Sequence, residues 1–197
     1  MKKIIGIFLI FLLLRPQPVW AFSDTEDLWC EEVIDLGVQA GYWVGEGETF
    51  APQRMATRAE AVAIFYRMAQ GEGAAAPFSD VPEGAWYAQA MGWAAQSGIL
   101  AGEGGQALPQ QPIRREELWT MAGRFVGAEE TDVWQVASDG ALLSPWAKAG
   151  TGWCLRQHLI SENDFACLYP QQTITRGELA VFFWQFGQRL QNQANTR

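Results

Sequence analysis

The sequence predicts an all-α fold built from three helix–loop–helix units. Three observations predict it. Tryptophan, glycine, proline and arginine–glutamate positions recur in register, and the repeated arginines lie 57 and 61 residues apart. Apolar residues recur at helical spacing in two segments of each unit. In two units a threonine followed three residues later by a glutamate, which is typical of a helix start, opens the second segment.

Residues 1–21 have the pattern of a secretory signal peptide. Lys2 and Lys3 precede an apolar run at 4–14, which prolines then interrupt before Ala21. A positive start, a short apolar run and small residues before the cleavage point are the three parts of such a peptide. The run is too short to span a membrane, which takes about 20 apolar residues. We therefore expect cleavage after Ala21 and an exported mature chain without a membrane anchor.

Composition and charge exclude several classes of function. The chain of 197 residues has 14 basic and 22 acidic residues and a formal net charge of −8, which argues against nucleic-acid binding and against docking on anionic lipid. His158 is the only histidine, which argues against histidine-rich metal sites and most histidine-based triads. The 10 tryptophans indicate either a tryptophan-rich core or a surface that stacks on flat groups such as sugars.

The repeats divide the mature chain into similar units. The predicted units are residues 22–76, 77–132 and 133–190, followed by a polar tail at 191–197. Phe-Ser-Asp opens the first two units, and a weaker Ala-Ser-Asp begins at Ala137 in the third. The repeated tryptophans are Trp29, Trp86 and Trp146. A predicted turn position follows each of them by twelve residues, at Gly41, Gly98 and His158. Because glycine adopts positive φ readily, this position suits a helix stop.

Both segments of each unit carry apolar residues at helical spacing. The first helices are predicted from Trp29, Val33 and Leu36, from Trp86, Ala90, Trp93 and Ala94, and from Trp146, Gly150 and Trp153. The second helices are predicted from Ala61, Phe65 and Met68, from Leu118, Ala122 and Phe125, and from Leu179, Phe183 and Phe186. These stripes, tryptophans included, are predicted to be core. A lone helical hairpin cannot bury such a face, so we expect the units to pack together.

Capping boxes open two of the second helices. They are formed by Thr57 with Glu60 and by Thr175 with Glu178. In such a box the hydroxyl and the carboxylate each accept a hydrogen bond from a backbone N–H that has no partner within the helix. These four residues therefore have a structural explanation.

The arginine in the first turn of each second helix has no such explanation. Arg58, Arg115 and Arg176 occupy this position, where the helix dipole disfavours a cation. A repeated cation there needs a partner. Two interpretations remain open: an internal ion pair with one of the many acidic residues, or an anionic ligand held beside the helix start.

Three cysteines leave their pairing open. Cys154 and Cys167 would close a short loop by a disulfide, as an exported chain allows, and Cys30 would then be unpaired. The alternative is three buried reduced thiols. The spacings do not fit a zinc site, and no motif indicates another metal or a cofactor.

At these residues the chain resembles the S-layer homology (SLH) family. The second unit follows the family pattern most fully, through Phe78-Ser-Asp-Val, Trp86, Gly98-Ile-Leu-Ala-Gly102, Pro109 and Ile113-Arg-Arg-Glu-Glu117. The resemblance covers residues 22–190. It implies three tandem units folded into a pseudo-threefold module around a central helical bundle. It also implies grooves between units that hold secondary cell-wall polysaccharide, often carrying pyruvate ketals.

The resemblance implies a binding function without catalysis. Arg58, Arg115 and Arg176 match the arginine of the family's Thr-Arg-Ala-Glu motif and would contact the polysaccharide, with Trp29, Trp86, Gly41 and Gly98 in support. A pyruvylated sugar offers a carboxylate to arginine and an apolar ring face to tryptophan. The implied protein is non-catalytic, needs no cofactor, and lies in the cell wall or S-layer at the cell surface.

The sequence departs from the family pattern at several positions. Arg114 replaces the capping threonine in the second unit, so that helix loses a cap worth about 1 kcal/mol. In the third unit His158 and Glu162 replace both glycines, and this change implies a groove that is reshaped or inactive.

Two other functions stay open beside polysaccharide binding. A scaffolding module that binds other cell-envelope proteins is compatible with the altered third unit. A wall-active glycoside hydrolase would need paired carboxylates. The best placed acids, Glu60 and Glu178, already have capping roles. No unrepeated catalytic block remains once three units are assigned.

Overall fold

The chain is helical. A computed structural model describes residues 22–160 and 167–196, and within them it contains six α-helices and no β-strand, which confirms the predicted all-α class. The helices are α1 (Glu31–Gln39), α2 (Arg58–Met68), α3 (Ala88–Gln96), α4 (Arg115–Val126), α5 (Lys148–Arg156) and α6 (Arg176–Asn195). Three short 3-10 helices, Asp132–Val136, Gly140–Leu142 and Pro145–Ala147, precede α5. The predicted signal peptide and Glu162 lie outside the described residues. No helix in the described ranges is long and apolar enough to cross a membrane.

The chain divides into two compact units of contacts. Among the described residues, the first contains α1 and α6 with residues 22–54 and 67–70. In it α1 packs against α6. The rings of Phe182, Phe183 and Phe186 on α6 are buried and contact one another, with centroids 5.7 to 6.4 Å apart. Burial of these large rings contributes apolar stabilisation to this unit.

The second compact unit contains α3, α4, α5 and most of α2. Here α4 packs against α5, and Phe65 on α2 contacts Phe125 on α4 with ring centroids 5.4 Å apart. Gly123 and Gly150 lie at the point where α4 and α5 approach most closely, because a Cβ built on either would overlap backbone atoms of the opposite helix. Two helices can come this close only where side chains are absent.

The predicted core position of three tryptophans is wrong. Trp29, Trp86 and Trp146 are 62%, 62% and 46% exposed. Each lies two residues before its helix begins, at Glu31, Ala88 or Lys148, so the helical phase of the residues that follow does not fix where these rings point. The stripe on the second helices is buried as predicted, except that Phe125 is half-buried.

All three cysteines are free, so the disulfide considered between Cys154 and Cys167 is not formed in this structure. Cys154 is fully buried on α5, whereas the Cys167 Sγ lies 3.2 Å from the Ser138 Oγ. Burial raises the pKa of the Cys154 thiol and also that of Cys30. A raised pKa leaves less of the reactive thiolate at neutral pH.

This difference predicts selective thiol labelling. Treatment of the folded protein with iodoacetamide at pH 8 should modify Cys167 and leave Cys30 and Cys154 unmodified, because both are buried as neutral thiols. Peptide mass spectrometry before and after denaturation measures the three sites separately. A Cys167→Ser variant serves as the control. Labelling of Cys154 and Cys167 that requires a reductant even in denaturant would show that they are disulfide-bonded.

Candidate functional site

Three aspartates from the repeated lead-in hold three loops in the same way. Each carboxylate accepts hydrogen bonds from two successive backbone N–H groups: Asp24 from Phe50 and Ala51, Asp80 from Ala107 and Leu108, and Asp139 from Leu168 and Tyr169, at 2.7 to 2.8 Å. The second residue of each pair has a left-handed backbone, with φ between 50° and 56°. The repeated Asp in the lead-in was the available sequence signal, but sequence reasoning assigned it no role.

The repeated arginines bind these same loops. Arg58 Nε donates to the Ala107 carbonyl at 2.9 Å, Arg176 Nε to the Phe50 carbonyl at 2.8 Å, and Arg115 Nη1 to the Leu168 carbonyl at 3.2 Å. Each carbonyl belongs to a loop from another predicted repeat. Each arginine therefore connects the start of its own helix to a loop that is far away in the sequence.

The internal ion pair considered from the sequence exists for Arg58. Its Nη1 lies 2.6 Å from Glu117 Oε1, and the two side chains are only 8% and 14% exposed. Glu117 Oε2 also accepts the backbone N–H of Arg114 at 2.8 Å. Charge-assisted bonds in such a partly dehydrated place are stronger than neutral ones. Glu117 thus pairs with a motif arginine and caps α4.

Arg176, in the first compact unit, is buried and bonded to the backbone as Arg58 is. It is buried, its Nη2 donates to the Val44 carbonyl at 3.2 Å, and its guanidinium stacks over the Phe50 ring at 4.4 Å. A cation over an aromatic face gains electrostatic energy. Arg115 is half-buried. The three arginines are therefore equivalent in sequence, but only Arg115 is half-buried, whereas Arg58 and Arg176 are buried.

Helix starts in this region are built as the capping pattern predicts. Thr57 accepts from the Glu60 N–H while Glu60 accepts from the Thr57 N–H, and Thr175 with Glu178 forms the same pair of bonds. A closed ring of three backbone hydrogen bonds lies just ahead: Ile113 N–H to Ala56 O, Ala56 N–H to Ile174 O, and Ile174 N–H to Ile113 O. Each member of the ring lies two positions before a repeated arginine in the sequence.

A cavity of about 430 Å³ opens in the second compact unit. Its charged lining consists of Arg58, Arg114, Arg124, Glu103 and Glu117, and its remaining walls include Leu100–Gly102, Ser144 and Trp146. The lining has one more cation than anions, although the chain as a whole carries a net charge of −8. Such a local excess of arginine favours an anionic group in the cavity.

A buried carboxylate holds one lining residue of this cavity, Ser144. Glu116 is fully buried, and it accepts from Ser144 N–H at 3.0 Å, from Ser144 Oγ at 3.0 Å and from Gln171 Nε2 at 2.8 Å. Three donors satisfy a charge that would otherwise be costly to bury. Glu116 therefore holds the segment that carries Ser144 and Trp146 in place.

Trp29, Trp86, Gly41 and Gly98 are not among the residues that line this cavity. Trp86 and Gly98 are in the same compact unit but do not line it, whereas Trp146, predicted as core, does. Trp29 and Gly41 lie in the first compact unit. Gly41, Gly98 and His158 share a left-handed backbone, with φ of 74°, 72° and 53°, so His158 adopts a turn that glycine would accept more easily. Among the described residues no cluster of His, Cys, Asp and Glu could hold a metal ion.

Two segments of the chain match a known family. Residues 21–62 and 77–118 match the family model of the S-layer homology domain. Similar proteins include an amylopullulanase of Thermoanaerobacterium thermosulfurigenes, 31% identical over 173 residues, and the exoglucanase XynX of Acetivibrio thermocellus, 30% identical over 173 residues. Each alignment covers 83% of this chain but only 9% and 16% of the respective enzyme.

A third relative covers a shorter region. It is the endo-1,4-beta-xylanase A of Thermoanaerobacterium saccharolyticum, 36% identical over 118 residues, which are 54% of this chain and 10% of the relative. The chain therefore spans a small fraction of the length of the curated relatives that it matches.

Proposed function

Because residues 21–62 and 77–118 match the S-layer homology domain, a non-catalytic anchoring module, we propose that this chain attaches to the cell wall by binding an anionic secondary cell-wall polysaccharide. The observation that carries the proposal is the cavity lined by Arg58, Arg114, Arg124 and Trp146 in a protein of net negative charge. An acidic protein that binds an acidic polymer needs such a local group of cations to offset their repulsion.

The chemistry of a pyruvylated sugar fits these residues. Its ketal carboxylate can accept paired hydrogen bonds from a guanidinium, and its ring offers an apolar face to an exposed indole. Arg58, Arg115 and Arg176 are the proposed polysaccharide-binding arginines. Trp29 and Trp86 are exposed and are proposed to stack on sugar rings, with Gly41 and Gly98 shaping the adjacent turns.

We propose three units in this module, with residues 133–190 as the third. Support comes from Asp139, which bonds its loop as Asp24 and Asp80 bond theirs, and from the left-handed Tyr169. A mature chain exported by cleavage after Ala21 would then act at the cell surface. Its partners would be wall polysaccharide and, in a second role, other envelope proteins.

A scaffolding function has one observation in its favour. Val136 and Leu142, at the ends of two 3-10 helices, are both 64% exposed, and a partner protein that covered them would gain the free energy of apolar burial. A wall-active hydrolase is disfavoured because Glu60 and Glu178, the acids best placed in the sequence, are engaged in helix capping.

Sedimentation with isolated cell walls tests the attachment. The mature chain should sediment with wall sacculi that carry the polymer, and mild acid hydrolysis of the ketals should lower the bound fraction about tenfold, because a guanidinium then loses its charged partner. Replacement of Arg58, Arg115 and Arg176 together should have a similar effect. Because these arginines also bond to the backbone of distant loops, circular dichroism must first show that the variant is helical.

Two controls make this test decisive. Untreated cellulose, a neutral polymer, should not retain the chain, and bovine serum albumin, another acidic protein, should not sediment with sacculi. Equal sedimentation with ketal-free and untreated sacculi would contradict the proposal. Release of soluble sugar by the isolated chain would instead support the hydrolase.

A further inference from the structure

Arg114 occupies a position where a threonine would stabilise the helix. The two capping boxes place Thr57 and Thr175 at this position, and each hydroxyl accepts the backbone N–H three residues on, at 3.3 and 3.2 Å. A guanidinium has no acceptor, so the Glu117 N–H bonds to the Arg114 carbonyl instead. A cation is also unfavourable beside the positive end of the helix dipole. Capping of α4 therefore does not explain Arg114.

Arg114 is more accessible than the motif arginine that lines the same cavity. Its side chain is 40% exposed, whereas that of Arg58 is 8% exposed. Arg58 already donates to the Ala107 carbonyl and pairs with Glu117. A ligand that enters the cavity from solvent therefore meets the guanidinium of Arg114 before that of Arg58.

The Arg114 guanidinium is held in a fixed orientation. Its Nη1 donates to Gln171 Oε1 at 2.7 Å, and its Nη2 lies 3.4 Å from Glu117 Oε1. Gln171 is fixed in turn by its bond to the buried carboxylate of Glu116. These bonds use two of the five guanidinium N–H groups. A held side chain loses less conformational entropy when it binds a ligand.

The charges around Arg114 leave room for one more anion. Glu117 is shared between Arg58 and Arg114, so two guanidinium groups face a single carboxylate. Arg124 and Glu103 complete the charged lining and balance each other. A carboxylate supplied by a ligand would bring the formal charge of these lining residues to zero.

We infer that Arg114 contacts the ligand in this cavity and makes it selective for a sugar whose substituent carries a carboxylate. The inference rests on the proposed function and adds a specificity-determining residue at the position of the repeated capping threonine. The ligand carboxylate bonds to the exposed edge of the Arg114 guanidinium, and the sugar ring lies towards Trp146. The two repeats with threonine at this position lack such a contact.

Calorimetric titration of the full mature chain tests this with two synthetic sugars. The first is a methyl hexopyranoside with a pyruvate ketal, and the second is the same sugar with an isopropylidene ketal, which carries a methyl group in place of the carboxylate. Arg114→Thr should weaken binding of the pyruvate ketal about tenfold or more and should not lower the Tm, because the threonine completes a capping box with Glu117. The isopropylidene sugar should bind weakly to both proteins.

Two further variants complete the experiment. Arg114→Lys keeps the charge but loses the planar fork, and it should lie between wild type and Arg114→Thr in affinity. Arg156→Thr makes the same change at an exposed arginine outside the cavity lining, and it should bind as wild type does. A purely structural role for Arg114 would move the Tm without changing the preference for the carboxylate.

Each result has a defined meaning. If Arg114→Thr binds the pyruvate ketal as tightly as wild type, the inference is overturned, while sedimentation with sacculi still decides the proposed function. If wild type sediments with sacculi but does not distinguish the two ketals, the carboxylate selectivity is wrong and wall attachment stands. If wild type binds neither sacculi nor sugar, both proposals fail.

Discussion

Replacing Gly150 with alanine should lower the free energy of unfolding by about 3 kcal/mol, the upper end of the range for overpacked cores. In most helices the same change stabilises, by roughly 1 kcal/mol, because alanine has the higher helix propensity. Here a Cβ on Gly150 would overlap the Trp119 carbonyl oxygen and lie 2.8 Å from the Thr120 Cα. Both are backbone atoms of α4, so no side chain can rotate away. The two helices would have to move apart.

Separation of α4 and α5 would also affect the cavity, since Thr120 and Met121 on α4 belong to its lining. Denaturant unfolding followed by circular dichroism gives the change in stability. Gly84→Ala is the matched control, because a Cβ there meets nothing within 4 Å and the change should be neutral. A Gly150→Ala variant as stable as wild type would show that α4 and α5 are not packed as closely as described.

Replacing Arg58 with methionine should lower the free energy of unfolding by about 2–3 kcal/mol, because it leaves the Glu117 carboxylate without its principal partner in a poorly hydrated place. Methionine keeps the apolar stem of the arginine, so the loss reports on the charge and on the bond to Ala107. Arg114, 3.4 Å from the same carboxylate, offsets part of the loss. The measurement is again denaturant unfolding.

A double substitution isolates the interaction energy between Arg58 and Glu117 from their other contacts. Glu117→Gln keeps an acceptor for the Arg114 N–H and removes the charge, so Arg58→Met with Glu117→Gln should cost about 1 kcal/mol less than the sum of the single changes. Arg54→Met is the matched control: its ion pair with Glu46 is 39% and 56% exposed and should contribute less than about 1 kcal/mol. Equal losses for Arg58→Met and Arg54→Met would show that burial of the Arg58 pair has no energetic effect.

The sequence predicted the capped helix starts and the buried stripes of the second helices well, because both depend on residues close together in the chain. The sequence Thr57-Arg-Ala-Glu60 directly predicts a capping box, since both hydrogen bonds join residues that are three positions apart. The stripe through Leu179, Phe183 and Phe186 is buried, as its helical spacing indicated. The prediction was wrong for Trp86, because helical spacing was applied to a residue that precedes the start of α3.

The site itself depended on contacts between distant residues. Arg58 was recognised as a cation that needed a partner, but nothing in the sequence selected Glu117 from 22 acidic residues. Arg114 was interpreted only as a lost cap. Its place in a cavity, beside a carboxylate shared with Arg58 and an amide held by Glu116, became visible only with the fold.

By itself the sequence determined the helical class, two of the repeats and the capping of two second helices, because propensity, periodicity and caps act over a few residues. The tertiary structure alone decided which charges meet: it paired Arg58 with Glu117, left Arg114 open to solvent and exposed Trp29 and Trp86. Ion pairs and exposure depend on distances in space between residues that can be more than fifty positions apart in the chain, and no local pattern specifies such distances.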